Sequence, residues 1–187
     1  MTIRLPGARI AAGIAIVVIA AIIAALLLSE GDDSAGGGTS PASLPQATDG
    51  PVAASLERLQ EVADSAGHPV YWAGEQPGRE YELTVERDGT IFVRYLDEGV
   101  SVGSPKGSLT VGTYPYSEAF ETLEAAASQP GAVTGDAPGG GLVVGNESNP
   151  NNVYLAFPGS DFEIEVFDPA EGEALEIATS GAVRPIQ

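Results

Sequence analysis

The chain has 187 residues, 43% of them hydrophobic, with no cysteine, one histidine and a formal net charge of −18 at pH 7. All 26 acidic residues but only six of the eight basic ones lie beyond residue 28, and such an anionic surface argues against nucleic-acid or lipid-surface partners. The missing cysteine removes disulfides and thiolate metal sites, and the single His68 removes sites built on two imidazoles.

The first element is the run from Ile10 to Leu28, IAAGIAIVVIAAIIAALLL, without a charge or a strong hydrogen-bonding side chain. At about 1.5 Å per residue it makes a helix of roughly 28 Å, the thickness of a bilayer core. Arg4 and Arg9 precede it, and Glu30, Asp32 and Asp33 follow with no base before Arg58. Positive flanks stay inside, so residues 1–9 are expected in the cytoplasm, 10–28 as a single-pass transmembrane helix and the rest outside the cell membrane. A cleaved signal peptide has the same charge order, but its apolar core is shorter and ends at a small-x-small site. Leu26-Leu27-Leu28-Ser29-Glu30 is a poor cleavage site, although a cut within residues 20–25 is conceivable.

Residues 29–51, rich in Gly, Ser, Pro, Thr and Asp, predict a disordered linker. Such a chain has an end-to-end distance of about 25 Å. The remainder, 52–187, is long enough for one extracytoplasmic domain with a core.

Helical spacing at Val52, Leu56, Leu59, Val62 and Ala66 predicts an amphipathic helix, with Asp49 as N-cap, Pro51 in the first turn and Gly67 at its end. Residues 68–74 read as a short strand and 75–78 as a turn. Period-two alternation over 79–86 and 90–96 predicts a β-hairpin through Arg87-Asp88-Gly89. A three-residue loop with left-handed Gly89 sets Tyr81, Leu83 and Val85 opposite Tyr95, Val93 and Ile91. That register puts Glu82 opposite Arg94 on the wet face; a two-residue loop would bury a charge.

A strand follows at 108–114 and then a helix at 118–128 capped by Ser117. Residues 129–141 read as a Gly/Pro-rich mobile stretch. Strands at 142–144 and 153–157 flank a loop at 145–152, and 161–167 alternates as another strand. A short helix near 170–180 and residues 182–184 close the chain. The fold class is α+β, a mostly antiparallel sheet with three short helices.

Pro69-Val70-Tyr71-Trp72-Ala73-Gly74, Tyr81-Glu82-Leu83-Thr84, the segment 89–96 and Leu109-Thr110-Val111-Gly112-Thr113-Tyr114-Pro115 resemble exported, single-span membrane proteins of actinobacterial type. The resemblance spans roughly residues 68–187. It implies the same topology and transfers neither an activity nor a site residue.

Three groupings carry candidate chemistry. Asp161, Glu163 and Glu165 alternate with apolar residues, so three carboxylates share one strand face; such a row can hold Ca²⁺, can hydrolyse glycosides as a pair, or can simply face solvent. Tyr71, Trp72, Tyr114 and Tyr116 lie near loops and either line a cleft for a glycan or Pro-rich peptide or pack in the core. His68 follows a helix end and precedes Pro69, but no nucleophile-elbow motif accompanies it, so no catalytic residue is assigned. The glycines from Gly139 to Gly145 fail G-x-G-x-x-G at Val144 and precede a strand, which argues against phosphate binding. The expected function is a membrane-tethered extracytoplasmic binding or spacer domain, meeting an envelope protein or glycan, with a carboxylate hydrolase assisted by His68 as the alternative.

Overall fold

The computed structural model describes residues 45–187; the expected membrane span at 10–28 and most of the linker lie outside the described residues. Among the described residues no helix is long and apolar enough to cross a membrane. They form an α+β fold, one eight-stranded antiparallel sheet with three helices and a small two-stranded ribbon.

In chain order the elements are β1 (Val52–Ala54), α1 (Leu56–Ala66), β2 (Tyr71–Trp72), β3 (Glu80–Val85), β4 (Ile91–Leu96) and β5 (Thr110–Pro115). They continue with α2 (Ala119–Ala127), β6 (Ala132–Ala137), β7 (Gly141–Asn146), β8 (Asn149–Ala156), β9 (Phe162–Phe167), α3 (Glu173–Thr179) and β10 (Arg184–Pro185). The large sheet runs β1-β3-β4-β5-β9-β8-β7-β6, and β10 pairs with β2. Two antiparallel meanders therefore meet at the β5–β9 seam, and α2 carries the chain from the centre of the sheet to its far edge.

The β3–β4 hairpin adopts the expected register, with Val85 opposite Ile91, Leu83 opposite Val93 and Tyr81 opposite Tyr95. Gly89 takes φ +90°, Glu86 N–H donates to Thr90 O at 2.8 Å, and the Asp88 carboxylate accepts from Thr90 N–H. Glycine is needed there because a left-handed turn residue matches the twist of the strands.

Val52 does not begin the first helix. Residues 52–54 pair along β3, with Val52 opposite Leu83, and the helix starts after Ser55, whose Oγ accepts from Arg58 N–H at 3.2 Å. A side-chain oxygen there satisfies a donor that the first helical turn leaves open, a role Asp49 is too distant to fill. Gly67 ends α1 at φ +69°, as expected. Replacing Ser55 by alanine should cost about 1 kcal/mol in urea unfolding and leave the sheet register intact. Thr48, within the expected linker, already docks: its N–H donates to Val85 O, and its hydroxyl accepts from Val85 N–H.

Other boundaries differ for similar reasons. Glu118, not Ser117, holds the N-cap position of α2 and makes no side-chain capping bond. The supposed mobile stretch at 129–141 contains β6, which pairs with β7 through its whole length. The expected loop at 145–152 shrinks to Glu147-Ser148, because β8 starts at Asn149 and Asn146 Oδ1 closes the turn onto Ser148.

Both faces of the sheet are covered. The first carries Leu83, Val93, Val111, Val143, Leu155, Ile164 and Val166, packed with Leu59 and Val62 of α1 and Ala174 and Ala178 of α3. Ribbon β2–β10 also lies on this side: Tyr71 N–H donates to Thr113 Oγ1 at 2.9 Å, and the buried Tyr95 hydroxyl accepts from Ala73 N–H and donates to Gly74 O. The second face has a smaller cluster, with Ala119 and Leu123 of α2 set on Val144 and Ala156.

Glu82 and Arg94 belong to that second face, and it is not wet. They form an ion pair at 3.0 Å with side chains only 6% and 10% exposed. The segment after β4 folds over them, so that Arg94 donates to Ser104 O and Lys106 O, and Gly103 N–H donates to Glu82.

Candidate functional site

Between the 103–106 segment and α2, the second face is occupied by side chains of β4, β5, β8 and β9. Strand alternation puts Glu163 and Glu165 on this side, opposite Ile164 and Val166 on the first. Glu163 stands across from Tyr114 on β5; Glu165 stands across from Gly112 on one side and Tyr154 on the other. Phe92 lies across from Gly112 and meets Tyr114 edge to face at 5.6 Å between centroids.

Gly112 makes this ring pair fit. A Cβ there would lie 2.9 Å from Tyr114 Cε2 and 3.1 Å from Phe92 Cε1. Both rings therefore lean over bare backbone beside Glu165. Phe92, Tyr114 and Tyr154 are half-buried, whereas each carboxylate residue retains 8% exposure. The result is a strip of half-buried rings bordering two buried carboxyl residues.

The two carboxyls are not equivalent. Glu165 accepts from Tyr114 Oη at 2.5 Å and from Asn152 Nδ2, so both of its oxygens are satisfied. Oε2 of Glu163 is buried without a partner. Among the described residues no Arg or Lys forms an ion pair with either. Burial first, and the neighbouring Glu165 charge second, push the Glu163 carboxyl up to about 7. Burial, then Glu165, also raise the Tyr114 and Tyr154 phenols well above their ordinary range, so both remain protonated donors.

Sequence expectations divide on this geometry. Glu163 and Glu165 are buried rather than solvent-facing, while Asp161 precedes the strand, stays exposed, and gives its carbonyl to Tyr116 N–H. Among the described residues no three His, Cys, Asp or Glu side chains gather as a metal-ion site. The aromatic quartet is split. Tyr71 and Trp72 are buried in the first-face core, Tyr114 stands beside the two carboxyls, and Tyr116 hydrogen-bonds Thr122 Oγ1 at 3.0 Å where α2 begins. His68 stacks on Phe162 at 4.9 Å, on the opposite side of β9 from the carboxyls, with Nδ1 beside Pro69 O. Phe92, Tyr154 and Asn152 complete the site and were not singled out in the sequence. Their signal was the placing of large aromatics at strand positions that alternation assigns to solvent.

No protein-family model, curated protein or solved structure matches the chain. The site is therefore read from its own chemistry.

Proposed function

We propose that the chain is a membrane-tethered extracytoplasmic binding domain, and that the aromatic strip bordering Glu163 and Glu165 receives its ligand. The tether and outward orientation rest on the apolar run at 10–28 and its charge flanks. Binding is favoured over spacing by one observation, two neighbouring buried carboxyl residues, Glu163 and Glu165, that among the described residues pair with no Arg or Lys. Burying carboxyls without a counter-charge costs stability, and a domain whose only task is distance has no reason to carry that cost. The hydrolase alternative loses its assisting base, because His68 and the carboxyls lie on opposite sides of the sheet.

The test joins topology to binding. Protease added to intact cells should remove a C-terminal tag from the full-length protein. Small amines, sugars and peptides screened against the purified protein should give at least one ligand that raises its melting temperature and shifts the NMR resonances of Phe92, Tyr114 and Tyr154. A protected tag would overturn the tethered orientation. Ligands that perturb only residues remote from this strip would overturn the site.

A further inference from the structure

We propose that β6 is a docking edge, which takes an extended segment of a partner protein, alternating basic and apolar, as one more strand of the large sheet. The edge lies beyond β8 and β7 in the order β9-β8-β7-β6, so the inference stands apart from the aromatic strip.

Backbone geometry carries it. Strand β6 pairs on one side only, with Ala132 opposite Asn146 through to Ala137 opposite Gly141 and no register shift. Just before it, Glu147 N–H donates to Gly131 O at 2.9 Å. Opposed residues in an antiparallel ladder alternate between exchanging both hydrogen bonds and exchanging none. Val133, Gly135 and Ala137 therefore turn their backbone groups toward β7, and Ala132, Thr134 and Asp136 turn theirs outward. Gln129 O accepts from Ala132 N–H at 3.1 Å. Among the described residues nothing bonds Ala132 O, or the N–H and C=O of Thr134 and Asp136. Such a row is a template for another strand. The opposite edge of the sheet is blunted, because β1 has three residues and directly follows Pro51. Strand β6 has six, with neither proline nor lysine among them.

Charge selects a basic partner. Between Lys106 and Arg184 the sequence holds twelve acidic residues and no Lys, Arg or His, and this span builds β5 to β9 with α2 and α3. Asp136 is exposed near one end of β6, and Glu147 is exposed beside the other. A second copy of the chain would bring two anionic halves together, whereas a basic strand is attracted and can set its charge against Asp136.

The two sides of the edge select the alternation. Thr134 stands opposite Val144 of the second-face cluster, and Gly135 stands opposite Val143 of the first-face core. Asp136 therefore shares the second face with Thr134. On the first face a Cβ at Gly135 would lie 2.7 Å from Thr179 Cγ2 and 3.6 Å from Leu175 Cδ1, and Leu175 is only partly buried. An added strand thus meets a carboxylate on one side and an apolar helix side chain on the other, which suits basic and apolar residues in turn.

The experiment uses the full chain in phosphatidylcholine nanodiscs, whose lipid carries no net charge. The probe is a short peptide alternating lysine and valine. One control replaces lysine by glutamate, and a second keeps lysine but carries a methyl group on every backbone nitrogen. The lysine peptide should shift the Thr134 and Asp136 amide resonances and slow their hydrogen exchange, and each control should bind at least about tenfold more weakly. Thr134→Pro removes only an outward N–H, so it should keep the Val133 and Gly135 amides protected while losing about tenfold in affinity. If the methylated peptide binds the natural chain as well as its parent does, the attraction is charge alone and strand addition falls, whether or not Thr134→Pro folds. If the lysine peptide moves no β6 resonance, the docking edge falls; shifts confined to Phe92, Tyr114 and Tyr154 would then assign the peptide to the aromatic strip and leave that reading standing. Self-association through β6 in the absence of peptide would make a second copy the occupant and overturn the basic partner.

Discussion

Replacing Arg94 by alanine is expected to destabilise the domain by about 3–5 kcal/mol, the usual cost of leaving one member of a buried ion pair without its partner. The reason is local and additive. Arg94 pairs with Glu82 at 3.0 Å and donates to the carbonyls of Ser104 and Lys106, while Glu82 also accepts from Gly103 N–H at 2.6 Å. Truncation would bury an uncompensated carboxylate and release the segment that roofs β3 and β4. The pair itself need not add net stability, because desolvating two charges offsets most of their attraction. Arg94→Met combined with Glu82→Leu should therefore recover most of the loss in urea unfolding, although the 103–106 segment would be held less firmly. Equal destabilisation by the single and double variants would show that the anchored carbonyls, and not the orphaned charge, set the cost.

The same pair shows what was legible in the sequence. The hairpin register followed from alternation and from Arg87-Asp88-Gly89, both local signals, and the structure has that register. Alternation separates two faces but does not say which is wet. Glu82, Thr84 and Arg94 suggested solvent, yet Phe92 shares their side, as do Tyr114, Tyr154 and Phe167 on strands brought alongside. A row of large rings at nominally outer positions is the mark of a sheet covered twice, and it accounts for both the buried ion pair and the buried carboxyls. What no local pattern carries is the β5–β9 seam, which joins strands about fifty residues apart and brings Tyr114 beside the two carboxyls. Strand β6 escaped notice for a different reason. Gly135 and Asp136 have weak strand preference, and pairing with β7 overrides it. Gly135 is required by packing: a Cβ there would lie 2.7 Å from Thr179 Cγ2 of α3. Helix starts were misplaced by a few residues because capping depends on geometry that several nearby Asp, Ser and Pro residues equally suggest.

Glu163→Gln is expected to stabilise the folded chain, and to do so only toward neutral and alkaline pH. In the fold the Glu163 carboxyl is raised to about 7 from an ordinary 4.5, chiefly by burial and then by the charge of Glu165. Below about 4.5 the group is protonated in both folded and unfolded chains, so it makes stability independent of pH there. Between about 4.5 and 7 the folded chain holds a proton that the unfolded chain has lost, and stability falls by up to about 1.4 kcal/mol per pH unit. Above about 7 both forms are ionised and the deficit levels off at about 3 kcal/mol. Glutamine carries no such titration. The variant should therefore exceed the natural chain by less than about 1 kcal/mol at pH 5 and by about 3 kcal/mol at pH 8. Urea unfolding at those two values is the measurement; lower pH is avoided because the sequence pI is about 4.1 and the chain would lose its solubilising charge. Differencing the two proteins cancels the titration of every other carboxylate, whatever its own pH dependence. A pH-independent gap would mean that Glu163 gains a counter-charge or water in solution, and a gap of opposite sign would mean that its ionised form is the one the fold prefers. The expected result makes the ionised Glu163 carboxyl a net cost to the fold at neutral pH, and any partner that neutralised it would stabilise the domain by mass action.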